Sequence, residues 1–95
     1  MAKPVLIDFY AEWCGPCKEM TPVIEELKAR MGDRVEIRKV DVGDGSEEAR
    51  QSAIKYKLQY VPTIIIERDG QVIETLVGLQ SLESLQSALE NLLED

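Results

Sequence analysis

The only two cysteines of the chain, Cys14 and Cys17, are separated by a single glycine and a single proline, and there is no histidine anywhere. Three kinds of chemistry use such a pair. A structural disulfide is one, although a loop this short constrains the unfolded chain little. Half of a metal site is another. Zinc asks for about four ligands from Cys, His or carboxylate, and without a second pair a dimer would have to supply the rest. The third is a working redox pair. Cys14 follows an apolar run and precedes a helical pattern, so it falls at a helix N-terminus. Unsatisfied N–H groups and partial positive charge gather there. A sulfur in that place is expected to ionise below the free-thiol value of about 8.5. Pro16 suits the first helical turn, where its missing N–H has no helical partner. Cys17 comes one turn later and is expected to be more shielded than an exposed Cys14. That asymmetry fits exchange, in which one thiolate attacks a disulfide and its neighbour resolves the mixed disulfide.

Three further residues carry a signal. Asp8 stands inside "VLIDFYA", residues 5–11, whose neighbours predict burial. A buried carboxylate costs several kcal/mol unless protonated or paired. Asp8 therefore either faces water or a partner, or is a carboxyl of raised pKa behind the cysteines, able to take a proton from Cys17. Pro62 opens an apolar strand, a position where proline is tolerated at an edge or a start. A trans bond is the general expectation there. Trp13, the only tryptophan, is either a core aromatic or an exposed ring beside a reactive thiol that helps bind a peptide.

The elements that must hold these residues are legible from periodicity. Residues 5–11 read as a strand buried on both faces. Met20, Val23, Ile24, Leu27 and Met31 form a helical stripe. Pro22 interrupts it and predicts a kink, and Gly32-Asp33 ends it. "RVEIRKVDV", residues 34–42, alternates as a strand, with Val40 out of phase. Ser46 or Asp44 caps a helix over about 47–57 with a thin apolar face of Ala49, Ala53, Ile54 and Tyr56. "VPTIIIER" and "QVIETLV" are strands joined by the hairpin signal Asp69-Gly70. Ser81 caps a last helix with a stripe of Leu82, Leu85, Leu89, Leu92 and Leu93. The first two strands should be parallel through a right-handed crossover, and the last two antiparallel.

With 95 residues and ordinary hydrophobic and charged fractions of 44% and 31%, one domain over 1–95 is expected. The net charge of −7 argues against general binding to nucleic acid or anionic membranes. From Ser81 onward there are four acids and no base, which reads as a solvated helix face. No apolar run is long enough to span a membrane. "MAKPVLIDFY" is too short and too broken for a signal peptide, so a reducing cytoplasm is expected.

"DFYAEWCGPCK", "YVPT" and the Val77-Gly78 pair closely resemble the thioredoxin family, the family that supplies the general example of Cys-X-X-Cys chemistry. The resemblance covers essentially the whole chain. It implies an α/β, thioredoxin-like three-layer sandwich, β-α-β-α-β-β-α, with a mixed four-stranded sheet. It implies that Cys14 is the nucleophile and Cys17 the resolving cysteine. Asp8 would handle the proton of Cys17, and Lys39 would pair with Asp8. Pro62 would be a cis-proline facing the disulfide, with the Val61 backbone binding an extended substrate segment as an added strand. Trp13, Gly15, Pro16 and Gly78 would form the apolar apron around the site.

The implied activity is reduction of protein disulfides, with no metal or organic cofactor beyond the Cys14–Cys17 disulfide. A thioredoxin-reductase-type protein or a low-molecular-weight thiol would restore the dithiol, and the protein is expected to act as a monomer. A carrier dedicated to one partner and a non-catalytic adaptor are the alternatives. The chain also departs from the family pattern. The strand and helix that usually precede the central strand are missing, which would leave the second strand as an exposed edge. Tyr10 replaces a usual tryptophan, the "VGDGSEE" region is longer, and Tyr60 stands where a small or varied residue is frequent and would narrow the substrate groove.

Overall fold

The computed structural model describes residues 3–94; Met1, Ala2 and Asp95 lie outside the described residues. Seven elements follow in the order β1 (Val5–Tyr10), α1 (Gly15–Met31), β2 (Glu36–Asp41), α2 (Glu47–Lys55), β3 (Thr63–Arg68), β4 (Gln71–Val77) and α3 (Leu82–Leu93). The sheet order is β2-β1-β3-β4. β1 and β2 are parallel, whereas β1/β3 and β3/β4 are antiparallel. This is the mixed four-stranded sheet that the element order implied, in the β-α-β-α-β-β-α arrangement implied by the family resemblance.

Alternation along the strands divides the core in two. Leu6, Ile64 and Ile66 join Met20, Ile24, Leu27 and Met31 of α1 and Leu85, Leu89 and Leu92 of α3. Ile7, Phe9 and Ile65 point the other way, toward Val40, Val42, Tyr56 and Leu58. This explains why Val40 is out of phase. Val35 and Ile37 of the same segment serve the first cluster, and Val40 and Val42 serve the second. The strand has apolar demands on both faces, so no single alternation describes it.

The helix ends follow local chemistry. Ser46 Oγ accepts the Ala49 N–H at 3.0 Å and caps α2. Asp44 is not the cap, because its carboxylate accepts the Ser46 N–H at 2.9 Å and shapes the preceding turn. Ser81 Oγ accepts the Ser84 N–H at 3.0 Å and caps α3. α1 runs unbroken across Pro22, held by its buried stripe. The hairpin between β3 and β4 places Asp69 and Gly70 at φ of 56° and 78°, both left-handed, as a two-residue turn of matching twist requires. β2 and β4 are the sheet edges.

Candidate active site

The end of β1 sets the site. After Tyr10 the chain turns, the Cys14 N–H donates to the Ala11 carbonyl at 3.1 Å, and α1 begins. Cys14 is the N-cap residue, with extended backbone, and Pro16 lies in the first turn. Cys14 Sγ takes the capping role that a hydroxyl usually plays, accepting the Cys17 N–H at 3.1 Å. The two sulfurs form a disulfide, with Cα atoms 5.3 Å apart.

The expected contrast in exposure between the two cysteines is absent. Cys14 is 5% exposed and Cys17 4%. Both cysteines are packed with Ala11, Tyr10, Val61 and each other. What differs is their bonding. Cys14 Sγ faces a helix N–H and lies 3.7 Å from the Val61 carbonyl oxygen.

Val61 and Pro62 reach the disulfide from the start of β3, joined by a cis peptide bond. The general expectation of a trans bond is therefore overturned, and the bond is cis as the family resemblance implied. Gly78, at φ 91°, closes the far side, its N–H donating to the Pro62 carbonyl at 2.8 Å. Trp13 is 73% exposed beside Cys14 and is not a core aromatic. Gly15 adds no side chain to this surface, and its surroundings are open.

Asp8 is buried, 1% exposed, on the Leu6 side of β1 that faces α1. Neither carboxylate oxygen has a hydrogen-bond partner. Burial pushes its pKa up to about 6, partly countered by the positive charge of Lys39. This answers the question left open by sequence: Asp8 faces the interior and not water. Lys39 is its register partner on β2, but the expected ion pair does not form. No bridge to Asp8 within 4 Å occurs among the described residues. The ammonium instead sits 4.6 Å from the centre of the Tyr10 ring. An exposed lysine head keeps its hydration there, whereas reaching Asp8 would mean burying it.

Two clefts flank the disulfide. One, about 390 Å³, is lined by Ala11, Trp13, Val42, Leu58, Tyr60 and Val61. Tyr60 is 66% exposed on its wall. The other, about 250 Å³, is lined by Tyr10, Glu12, Cys17, Lys18, Thr21 and Lys39.

Gly43 was not singled out by sequence reasoning. A Cβ there would come within 2.5 Å of Ala11 Cβ and 2.8 Å of Trp13 Nε1, so only a residue without a side chain lets the β2–α2 loop close under the tryptophan. Its signal, the glycine in "VGDG", reads locally as an ordinary turn.

A disulfide across two residues, at a helix N-terminus, at the end of the central strand and beside a cis-proline, defines a thiol–disulfide oxidoreductase. The family model described as Thioredoxin matches residues 1–91. The chain is 48% identical to thioredoxin of Bacillus subtilis, over 86% of this chain and 75% of that protein. It is 42% identical to thioredoxin of Staphylococcus aureus, over 90% of this chain and 78% of that one. The solved structure of Malassezia sympodialis thioredoxin superposes with a TM-score of 0.80 at 38% identity, covering 95% of this chain and 75% of that chain. The chain belongs to the thioredoxin family. Its activity is that of a thioredoxin-type protein-disulfide reductase. Among the described residues, no helix is long and apolar enough to cross a membrane.

Proposed function

We propose that the protein reduces disulfides in several unrelated proteins through a mixed disulfide on Cys14. In the reduced dithiol, the Cys17 N–H and the first turn of α1 favour an anionic sulfur on Cys14. That thiolate attacks one sulfur of the substrate disulfide, whose S–S bond breaks and releases one substrate thiolate. Cys17 then gives up its proton and attacks Cys14 Sγ. The mixed disulfide breaks, the second substrate thiolate leaves, and the Cys14–Cys17 disulfide forms. Two electrons pass from the dithiol to the substrate. Asp8, poised to exchange a proton near pH 6, takes the proton of Cys17.

Val61 lies before β3 begins. Its backbone is free of the sheet register and beside Cys14, placed to pair with an extended substrate segment. Pro62, Trp13, Gly15, Pro16 and Gly78 shape the surface that segment crosses. The redox group is the disulfide itself, without a metal or organic cofactor. A separate reductase or a small thiol restores the dithiol, in the cytoplasm, with the protein acting as a monomer.

The observation that carries this reading is the disulfide capping α1 with the Val61 carbonyl at its side. A dithiothreitol-coupled insulin assay tests it. Cys14→Ser should abolish turnover, and Cys17→Ser should trap a mixed disulfide on Cys14, detectable by mass spectrometry. Trapping on neither cysteine would sink the mechanism. Tyr60, exposed on the cleft wall, favours a second reading, a carrier dedicated to one partner. A panel of unrelated disulfide proteins decides between the two: turnover of only one of them selects the dedicated carrier.

A further inference from the structure

We infer that Tyr10 is a positioning residue: its ring seats the Lys39 ammonium at the mouth of the cleft beside Cys17, and this fixes where positive charge meets the Asp8 carboxyl. The inference rests on the proton-handling role proposed for Asp8.

The geometry carries it. Asp8, Tyr10 and Lys39 share one side of the sheet, because Asp8 and Lys39 are register partners and Tyr10 is two residues beyond Asp8. Lys39 is exposed, and an exposed lysine spreads over many rotamers unless something holds it. Among the described residues no carboxylate lies within 4 Å of it. The ring 4.6 Å away does the holding. Tyr10 and Lys39 wall the same cleft as Cys17.

The charges around Asp8 are few. From β2 come Lys39 and, further out, Asp41. The β1–α1 loop contributes Glu12, and α1 contributes Lys18 on the cleft wall, where Cys17 is held uncharged in the disulfide. Ile64, the partner on β3, is apolar, and α3 presents leucines to this side. Tyr10 adds no charge near neutrality. Burial, then Asp41, Glu12, Asp8 and Asp44, hold its phenol above the ordinary range. The Lys39 charge lowers the Asp8 pKa against the effect of burial. A lysine released from the ring would do so less.

The test is a carbon-13 NMR titration of the Asp8 carboxyl in the oxidised full chain. Wild type should titrate near pH 6. Tyr10→Leu should move the midpoint upward by about half a pH unit, toward that of Lys39→Met. Tyr10→Phe, which keeps the ring, should stay with wild type. Tyr10→Trp, the stronger cation binder, should stay or move down, and it serves if the leucine variant does not fold. In a Lys39→Met background Tyr10→Leu should add nothing. The inference fails if Tyr10→Leu leaves the midpoint unmoved, if its shift persists without Lys39, or if Tyr10→Trp raises it. A wild-type midpoint near 4 is a different failure, since it removes the proposed role of Asp8 itself.

Discussion

The two faces of the sheet are made by the same strands but do different work. On the side of α1 and α3, eleven buried residues form one continuous core. On the side of α2, three buried residues are joined by half-buried neighbours, and α2 itself buries only Ala49. The thick face also holds Asp8, the one buried carboxylate among the described residues. The thin face opens into the larger cleft, walled by Trp13, Tyr60 and Leu58. Stability and the buried charge are concentrated together, since only a well-packed core can absorb the cost of an unpaired carboxylate. The exposed Trp13 and Tyr60 stand on the side with little core to disturb.

That division can be broken by substitution. The largest effect belongs to the thick face, where Leu89→Ala, at a fully buried position, should lose about 2–5 kcal/mol of stability in urea unfolding. Next comes Asp8→Asn, with the opposite sign. The folded-state pKa of Asp8 is raised from 3.8 to about 6. The folded form therefore binds more protons than the unfolded form between those values, and its stability falls as pH rises through them. Above pH 6 the loss is complete, roughly 3 kcal/mol. Asp8→Asn of the oxidised protein should recover most of it at pH 7 and none below about pH 4, read from unfolding midpoints across that range.

On the thin face, Gly43→Ala should cost about 1–3 kcal/mol through crowding against Ala11 and Trp13, and should shift the emission of the single tryptophan. Smallest is Ile54→Ala on α2, 64% exposed, whose melting should stay within about 0.5 kcal/mol of wild type. An Ile54 effect as large as that of Leu89 would erase the distinction between the faces.

Much of this was legible because the signals are local. A CGPC between a strand and a helical stripe needs only neighbouring residues to announce a helix N-terminus. Ser46, Ser81 and Asp69-Gly70 likewise state their roles within a few positions. What escaped depends on distant parts of the chain. The antiparallel seam between β1 and β3 joins the two halves of the fold, and no turn between them specifies it. The near-equal burial of the two cysteines comes from their packing with Ala11, Tyr10 and the distant Val61. Lys39 was expected at Asp8 from the family resemblance, and the two are indeed neighbours in register. Its choice of the Tyr10 ring turns on the difference between a wet and a dry position for the ammonium. Gly43 looked like a turn residue because the indole that needs its missing Cβ lies thirty residues earlier.

The Arg68 guanidinium donates to the Leu92 carbonyl at 3.2 Å, fastening the end of the sheet to the end of α3. β3 starts beside Pro62 at the disulfide and finishes at Arg68, so this clasp sits at the pole opposite the sulfurs. A cargo domain, an affinity handle or a solid support joined after α3 would hang from that far pole. The disulfide end of such a fusion would stay at the opposite pole, clear of the point of attachment.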